Sequence, residues 1–217
     1  MSVQGGLYRH DLPLREIVGN EIRTRIFNGT FPPGTRLVER DLATEFDVSR
    51  FPVREAIRIL HREGLVETLP TRGIVVKRLQ RKEVEEIFDI REALEGLASK
   101  LAAERVAAGE PNNLQAYVEQ SREALAKGDL EAARTANSEF HDAIIEASGS
   151  ATLHDILTPL MGRLHWLFGQ VSNLDAVCNE HKHLCAAINS GDPHAAAEEA
   201  RHHVQSYRDQ TLQHLFG

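Results

Sequence analysis

The residues in this chain best suited to chemistry are histidines and a carboxamide at helical spacing in its second half, and an arginine series in its first. Asn137 and His141 stand four apart, so on one helix they share a face, and Phe140 and Ile144 flank them and turn that face inward. His181 follows Glu180 in a later helical stretch, and His203 lies in the last one. Imidazoles from three antiparallel helices can converge in a bundle core, and neutral His is the usual ligand of borderline divalent ions. Taken singly, each of these histidines reads first as a core or surface residue. His202 is the alternative donor on the last helix. Cys185, four residues after His181, has a thiolate to offer but reads more simply as an apolar neighbour. His183, His194 and His214 read as surface residues.

The arginine series suits a different task. On a wheel of about 100° per residue, Val53, Ala56, Ile57 and Leu60 fall on one side of residues 49–62. Arg50, Arg54, Arg58 and His61 fall on the other. An arginine stripe that opens at a helix N-terminus, just after a tight corner, is how a recognition helix meets the major groove. Arginine holds guanine O6 and N7 with two bonds, and Ser49 with the first helix amides suits a phosphate. The alternative is a solvated basic face, and the hairpin that follows weighs against it.

Both constellations need helices to carry them. Leu14, Ile17, Val18, Ile22 and Ile26 recur at helical spacing up to Asn28-Gly29. A short helix covers about Glu39 to Phe46, Asp47-Val48 makes a corner, and Ser49 is placed to cap a third helix that runs to Arg62 and ends at Gly64. Pro52 falls in that helix's first turn, where a missing N–H costs little. Leu65–Thr68 and Gly73–Lys77 read as a β-hairpin around Leu69-Pro70-Thr71-Arg72. Beyond Leu79 only helical periodicity remains, over Val84–Ala108, Leu114–Ala126, Leu130–Ala147, Leu153–Val171, Ala176–Asn189 and Ala195–Leu215. The fold expected is mainly α: a winged helix-turn-helix of three helices plus a hairpin wing, then an all-α six-helix bundle. The boundaries expected are a flexible extension at 1–13, the winged unit at 14–78, a linker at 79–82 and the bundle at 83–217.

Charge divides the chain in the same place. Residues 1–78 carry 13 Lys and Arg against 10 Asp and Glu, and the remainder carries 12 against 22. A basic module joined to an acidic one fits a DNA reader whose partner domain stays off the phosphates. Nine of the 11 histidines lie at or beyond His141. No apolar run approaches the ~20 residues that span a bilayer, and Met1–His10 lacks the apolar region of a signal peptide. Cys178 and Cys185 are too far apart along one helix to bridge, so reduced thiols and a cytoplasmic location are expected.

Leu37-x-Glu39-Arg40-Asp41-Leu42-Ala43, Val48-Ser49-Arg50-x-Pro52-Val53-Arg54-Glu55-Ala56, Gly64-Leu65-Val66 and Arg72-Gly73 resemble the DNA-binding domain of GntR-type regulators over about residues 14–78. The resemblance implies that Arg40, Ser49, Arg50 and Arg54 contact operator DNA, and that the hairpin tip with Arg72-Gly73 enters the adjacent minor groove. Phe51 stands where that family usually has a small hydroxyl residue such as Thr. Either a phosphate contact is lost there, or Phe51 packs on a thymine methyl.

Residues 83–217 resemble the helical C-terminal domain of the FadR subfamily. The matching stretches are Ile90-Arg91-x-x-Leu94-Glu95, Asn137-x-x-Phe140-His141, Glu180-His181, Gly191-Asp192 and Arg201-His202-His203. Many members bind a divalent metal through an Asp and three His beneath an effector pocket. The resemblance implies His141, His181 and His203 as ligands, with Asn137 in the aspartate's place as a weaker, neutral donor. Zinc comes first as the metal, with nickel or manganese as alternatives. Arg91 matches an arginine that lines the pocket and can anchor a carboxylate; a structural ion pair is its other reading. Trp166 lines the same pocket or belongs to the core.

Three function classes compete. A di-iron enzyme on a helical bundle needs two Glu-x-x-His motifs that both face its core; beside Glu199-x-x-His202 stands Glu180-x-x-His183, whose histidine reads as a surface residue. A mononuclear metal enzyme needs a base beside an open position, for which Glu180 is the nearby candidate. A purely architectural DNA-binding protein leaves the histidine-bearing bundle without a role. The expectation is a ligand-controlled regulator and not an enzyme. It is expected to be a homodimer that reads an inverted repeat in double-stranded operator DNA and answers to a small organic acid, with no membrane partner.

Overall fold

The computed structural model describes residues 12–168 and 173–217. Of the extension expected at 1–13, residues 1–11 lie outside the described residues, as does Ser172 of the break expected before the fifth helix of the bundle. Two compact units meet in sequence at Arg78 and Leu79.

In the first unit the order is α1 (Leu14–Phe27), α2 (Glu39–Glu45), α3 (Arg50–Arg62), β1 (Val66–Leu69) and β2 (Gly73–Val76). Val18, Ile22 and Ile26 of α1 are buried together with Val53, Ala56, Ile57 and Leu60 of α3. Burying each of the larger side chains contributes about 1.5–3 kcal/mol. Gly19 lies over Ala56, where an added Cβ would come within 3.8 Å of the alanine methyl. β1 and β2 are antiparallel, with Val66 opposite Val76 and Leu69 opposite Gly73, and Arg36 adds an isolated bridge to Val75. This is the winged helix-turn-helix that the order of patterns predicts.

The second unit holds α4 (Arg81–Ala107), α5 (Leu114–Ala126), α6 (Leu130–Ala147), α7 (Ala151–Phe168), α8 (Leu174–Asn189) and α9 (Pro193–Phe216). α4 runs along α9 and also meets α6 and α8, while α5 packs on α6 and α8. Helix starts depart from the periodicity because caps, not apolar residues, set them. Glu83 accepts from the Gln80 amide at 3.1 Å in a capping box. Arg81 and Lys82, expected in the linker, therefore belong to α4. Asn173 accepts from the Ala176 amide and starts α8 at Leu174 rather than Ala176. Asp192 accepts from the amides of His194 and Ala195 and opens α9 at Pro193. Among the described residues no helix is long and apolar enough to cross a membrane.

The corner between α2 and α3 turns on Asp47, the one non-glycine residue at positive φ (53°) among the described residues. Asp tolerates this region better than branched side chains do. Asp47→Val is expected to lower the stability of the first unit by about 1–2 kcal/mol, and Asp47→Gly to leave it unchanged or raise it. Urea unfolding followed by circular dichroism checks both.

Candidate nucleic-acid interface and metal centre

Burial on α3 splits the helix as the wheel predicts. Pro52, Val53, Ala56, Ile57 and Leu60 are buried, and Arg50, Arg54, Arg58 and His61 are exposed. Ser49 occupies the N-cap, but its hydroxyl makes no cap hydrogen bond, so the capping expected of it is positional only. The Arg54 Nε and Nη2 atoms donate to Glu39 at 3.1–3.3 Å, tying the middle of α3 to the start of α2. Arg58 pairs with Glu55 at 2.7 Å and Arg40 with Asp41 at 3.0 Å, all in solvent. Phe51 is 70% exposed in the first turn of α3, a large apolar ring set among arginines. Arg72 is exposed at the hairpin tip, and Gly73 opens β2 with φ 71°. The first unit thus presents the arginine-bearing side of one helix, with a basic hairpin tip beyond it in sequence.

In the second unit α6, α8 and α9 bring His141, His181 and His203 together, with one ligand-capable atom of each inside a 4.8 Å group. Their ring centroids stand 4.9, 5.2 and 4.9 Å apart. All three rings are buried, and Phe140 stacks on His181 at 4.2 Å. His202 is exposed, which decides between the two adjacent histidines of α9. His183, His194 and His214 are exposed as expected. Cys185 is not a member of the cluster, and its Sγ instead lies 3.6 Å from Gln115 Oε1 and 3.3 Å from Asn189 Nδ2.

Two carboxylates stand behind the rings. Glu180 Oε2 lies 2.8 Å from His203 Nδ1, and Glu95 Oε2 lies 3.2 Å from His141 Nδ1. The Glu180 contact is a hydrogen bond, which fixes the proton of His203 on Nδ1 and leaves its Nε2 lone pair for a ligand, the usual support of metal-binding imidazoles. Glu95 reaches His141 at ion-pair distance. Burial drives all three histidines toward the neutral form. It lowers His141 to about 4 against the pull of Glu95, and lowers His181 and His203 as well. Among the described residues the buried Asn137 Oδ1 and His181 Nε2 have no hydrogen-bond partner, while Asn137 Nδ2 donates to Tyr207 Oη at 3.4 Å. Three neutral imidazoles, two of them with a carboxylate at Nδ1, and a buried amide oxygen beside them fit a divalent metal.

Arg91 sits inside this cluster. It is 1% exposed, forms an ion pair with Glu95, and places Nη2 3.3 Å from His141 Nε2 and 3.4 Å from His203 Nε2. Burial would raise the Glu95 carboxyl, but Arg91 and His141 outweigh it and hold the group far below the usual carboxylate range. Trp166 is half-buried on α7. Two members of the cluster were given no role from the sequence, Glu95 standing only within a matching stretch and Tyr207 in none, although Glu95 is one helical turn from Arg91 and Tyr207 one turn from His203.

Because the folded histidines hold their protons less tightly than the unfolded reference of 6.5, the unfolded chain takes up more protons as pH falls. Stability of the second unit is therefore expected to be full above pH 6.5 and to decline toward pH 4. Urea unfolding at pH 7.5 and pH 5 reads the sign. Replacing His181 by Phe should flatten the dependence.

Known proteins carry the same two units. Residues 14–76 match the family described as bacterial regulatory proteins, gntR family, and residues 86–206 match the FCD domain. The HTH-type transcriptional regulator YdhC of Bacillus subtilis is 31% identical over 204 residues, covering 90% of this chain and 88% of that protein. The HTH-type transcriptional repressor RspR of Escherichia coli is 25% identical over 205 residues, covering 93% and 90%. The solved structure of E. coli McbR/YncC superposes with a TM-score of 0.76 at 26% identity, over 93% of this chain and 98% of that one. These relatives are DNA-binding regulators, so the metal-enzyme alternative falls away. A gntR-type winged helix followed by an FCD domain makes this chain a member of the GntR family of transcriptional regulators.

Proposed function

We propose that the chain is a homodimeric regulator whose grip on operator DNA is controlled by a small organic acid bound at a zinc-bearing pocket of the FCD unit. The observation that carries this reading is the trio of buried, neutral imidazoles backed by Glu95 and Glu180. His141, His181 and His203 hold the metal, and the Asn137 carbonyl is the fourth donor. When bound, the metal supplies a Lewis-acidic centre with positions left for a carboxylate. Trp166 lines the acid's pocket, and Arg91 takes the acid's far end once it has left the Glu95 carboxylate.

On the DNA side, Arg50 and Arg54 read base edges, Arg40 and Ser49 hold phosphate, Phe51 packs on a thymine methyl, and Arg72 with Gly73 enters the minor groove. Two such helices about 34 Å apart read an inverted repeat. An acid that lowers operator affinity is itself bound less tightly by the DNA complex, by the same factor.

Arg54→Ala is expected to weaken operator binding by about 1–3 kcal/mol, read by mobility shift on a footprinted site. Unchanged affinity removes Arg54 from the recognition set. His141→Ala, His181→Ala and His203→Ala are each expected to lower zinc measured on the purified protein, and Asn137→Asp to raise resistance to chelator, because an anionic oxygen replaces a neutral one. Full zinc occupancy in all three histidine variants refutes the donor assignment.

A further inference from the structure

We propose that the Arg91 guanidinium is an internal cation that competes with a divalent metal for the histidine centre, so that metal binds only as Arg91 gives up His141 and His203. The proposal rests on the reading of the three histidines as metal donors. Its ground is that Arg91 and a metal need the same atoms. Glu180 accepts from Nδ1 of His203 and the Glu95 carboxylate stands 3.2 Å from Nδ1 of His141, so both rings present Nε2 as the donor facing Arg91. One guanidinium nitrogen lies 3.3 and 3.4 Å from those two Nε2 atoms. An imidazole lone pair that accepts an N–H cannot at the same time donate to a metal.

Charge sharpens the exclusion. A guanidinium keeps its proton at any accessible pH, so it cannot neutralise to make room. Two cations at this separation in a dry interior repel strongly. Nor is the position of Arg91 incidental. Its Cζ lies 4.8 Å from the Tyr207 ring centre and 5.5 Å from that of Phe88, and Glu95 closes the remaining side. Glu95 touches Arg91 and His141 together, so its charge faces whichever cation holds the centre. The exchange replaces one buried positive charge by another beside the same carboxylate.

Zinc alone, titrated into the full-length protein against a chromogenic chelator, tests this with wild type, R91M, E95Q and R91M/E95Q. Methionine keeps an unbranched apolar stem and removes both the charge and the N–H donors. The double variant removes both charges of the buried pair, so it folds even where R91M leaves Glu95 uncompensated. R91M is expected to bind zinc about tenfold or more tighter than wild type, and R91M/E95Q tighter than E95Q by a similar factor. Zinc binding by the arginine-free member of a pair, with none by its parent, is the extreme form of the same result. Should R91M fail to fold, the comparison of R91M/E95Q with E95Q decides alone. Equal affinity within each pair overturns the competition and leaves the histidine donors standing. A gain in R91M that vanishes between R91M/E95Q and E95Q belongs to the unmasked Glu95 carboxylate, and also overturns it. No zinc binding by any of the four refutes the histidine reading and the competition together.

Discussion

A guanidinium and a carboxylate lie side by side in the core of the helical unit, both withdrawn from water. Desolvating two such ions costs several kcal/mol each, and only close pairing with further partners offsets it. Here the partners are spread over the bundle: Glu95 also reaches His141 on α6, and Arg91 reaches His203 on α9 and the ring of Tyr207. The Phe140 ring, stacked on His181, brings α8 into the same assembly. Sliding any one of these helices by a turn would strand a buried charge, so the pair fixes their register as well as their contact. Caps at Asp129, Asn173 and Asp192 set where the neighbouring helices begin, and so which residues reach that depth.

Charge is used the opposite way in the winged unit. The pairs Arg54–Glu39, Arg58–Glu55 and Arg40–Asp41 stand in solvent, where such pairs contribute little to stability. An arginine held so weakly is oriented without being committed, and it can leave its carboxylate for a phosphate or a base edge at small cost. Exposed charge in the winged unit therefore remains available for exchange with a partner, at less cost than the buried pair of the helical unit.

Much of this was legible in the sequence, for identifiable reasons. Apolar periodicity located each helix, because a bundle buries one face of every helix and leaves the other wet. The wheel of α3 separated arginines from core without error, since a helix that packs one side on a small core is amphipathic by necessity. The histidines could be grouped but not chosen: nothing in one dimension says whether His202 or His203 faces inward. The position of Arg91 was hidden for a similar reason, because which turn of α4 meets α6 and α9 is a tertiary fact. Helix starts were misread by two or three residues at α4, α8 and α9, where a polar cap lies ahead of the first apolar residue, but not at α6, where Leu130 directly follows its cap Asp129. Cys185 shares a helix with His181 yet turns to Gln115 and Asn189, since residues four apart on one helix differ by 40° in direction.

That turn of Cys185 away from the histidines has a chemical consequence. Among the described residues the cluster offers nitrogen and oxygen donors and no cysteine sulfur. Thiolate is what draws soft ions such as cuprous copper, and it is also what peroxide attacks first. Burial pushes the Cys185 thiol up, and both cysteines are buried. A donor set of this kind suits borderline ions better than soft ones, and a buried thiol that holds its proton is a poor target for oxidant.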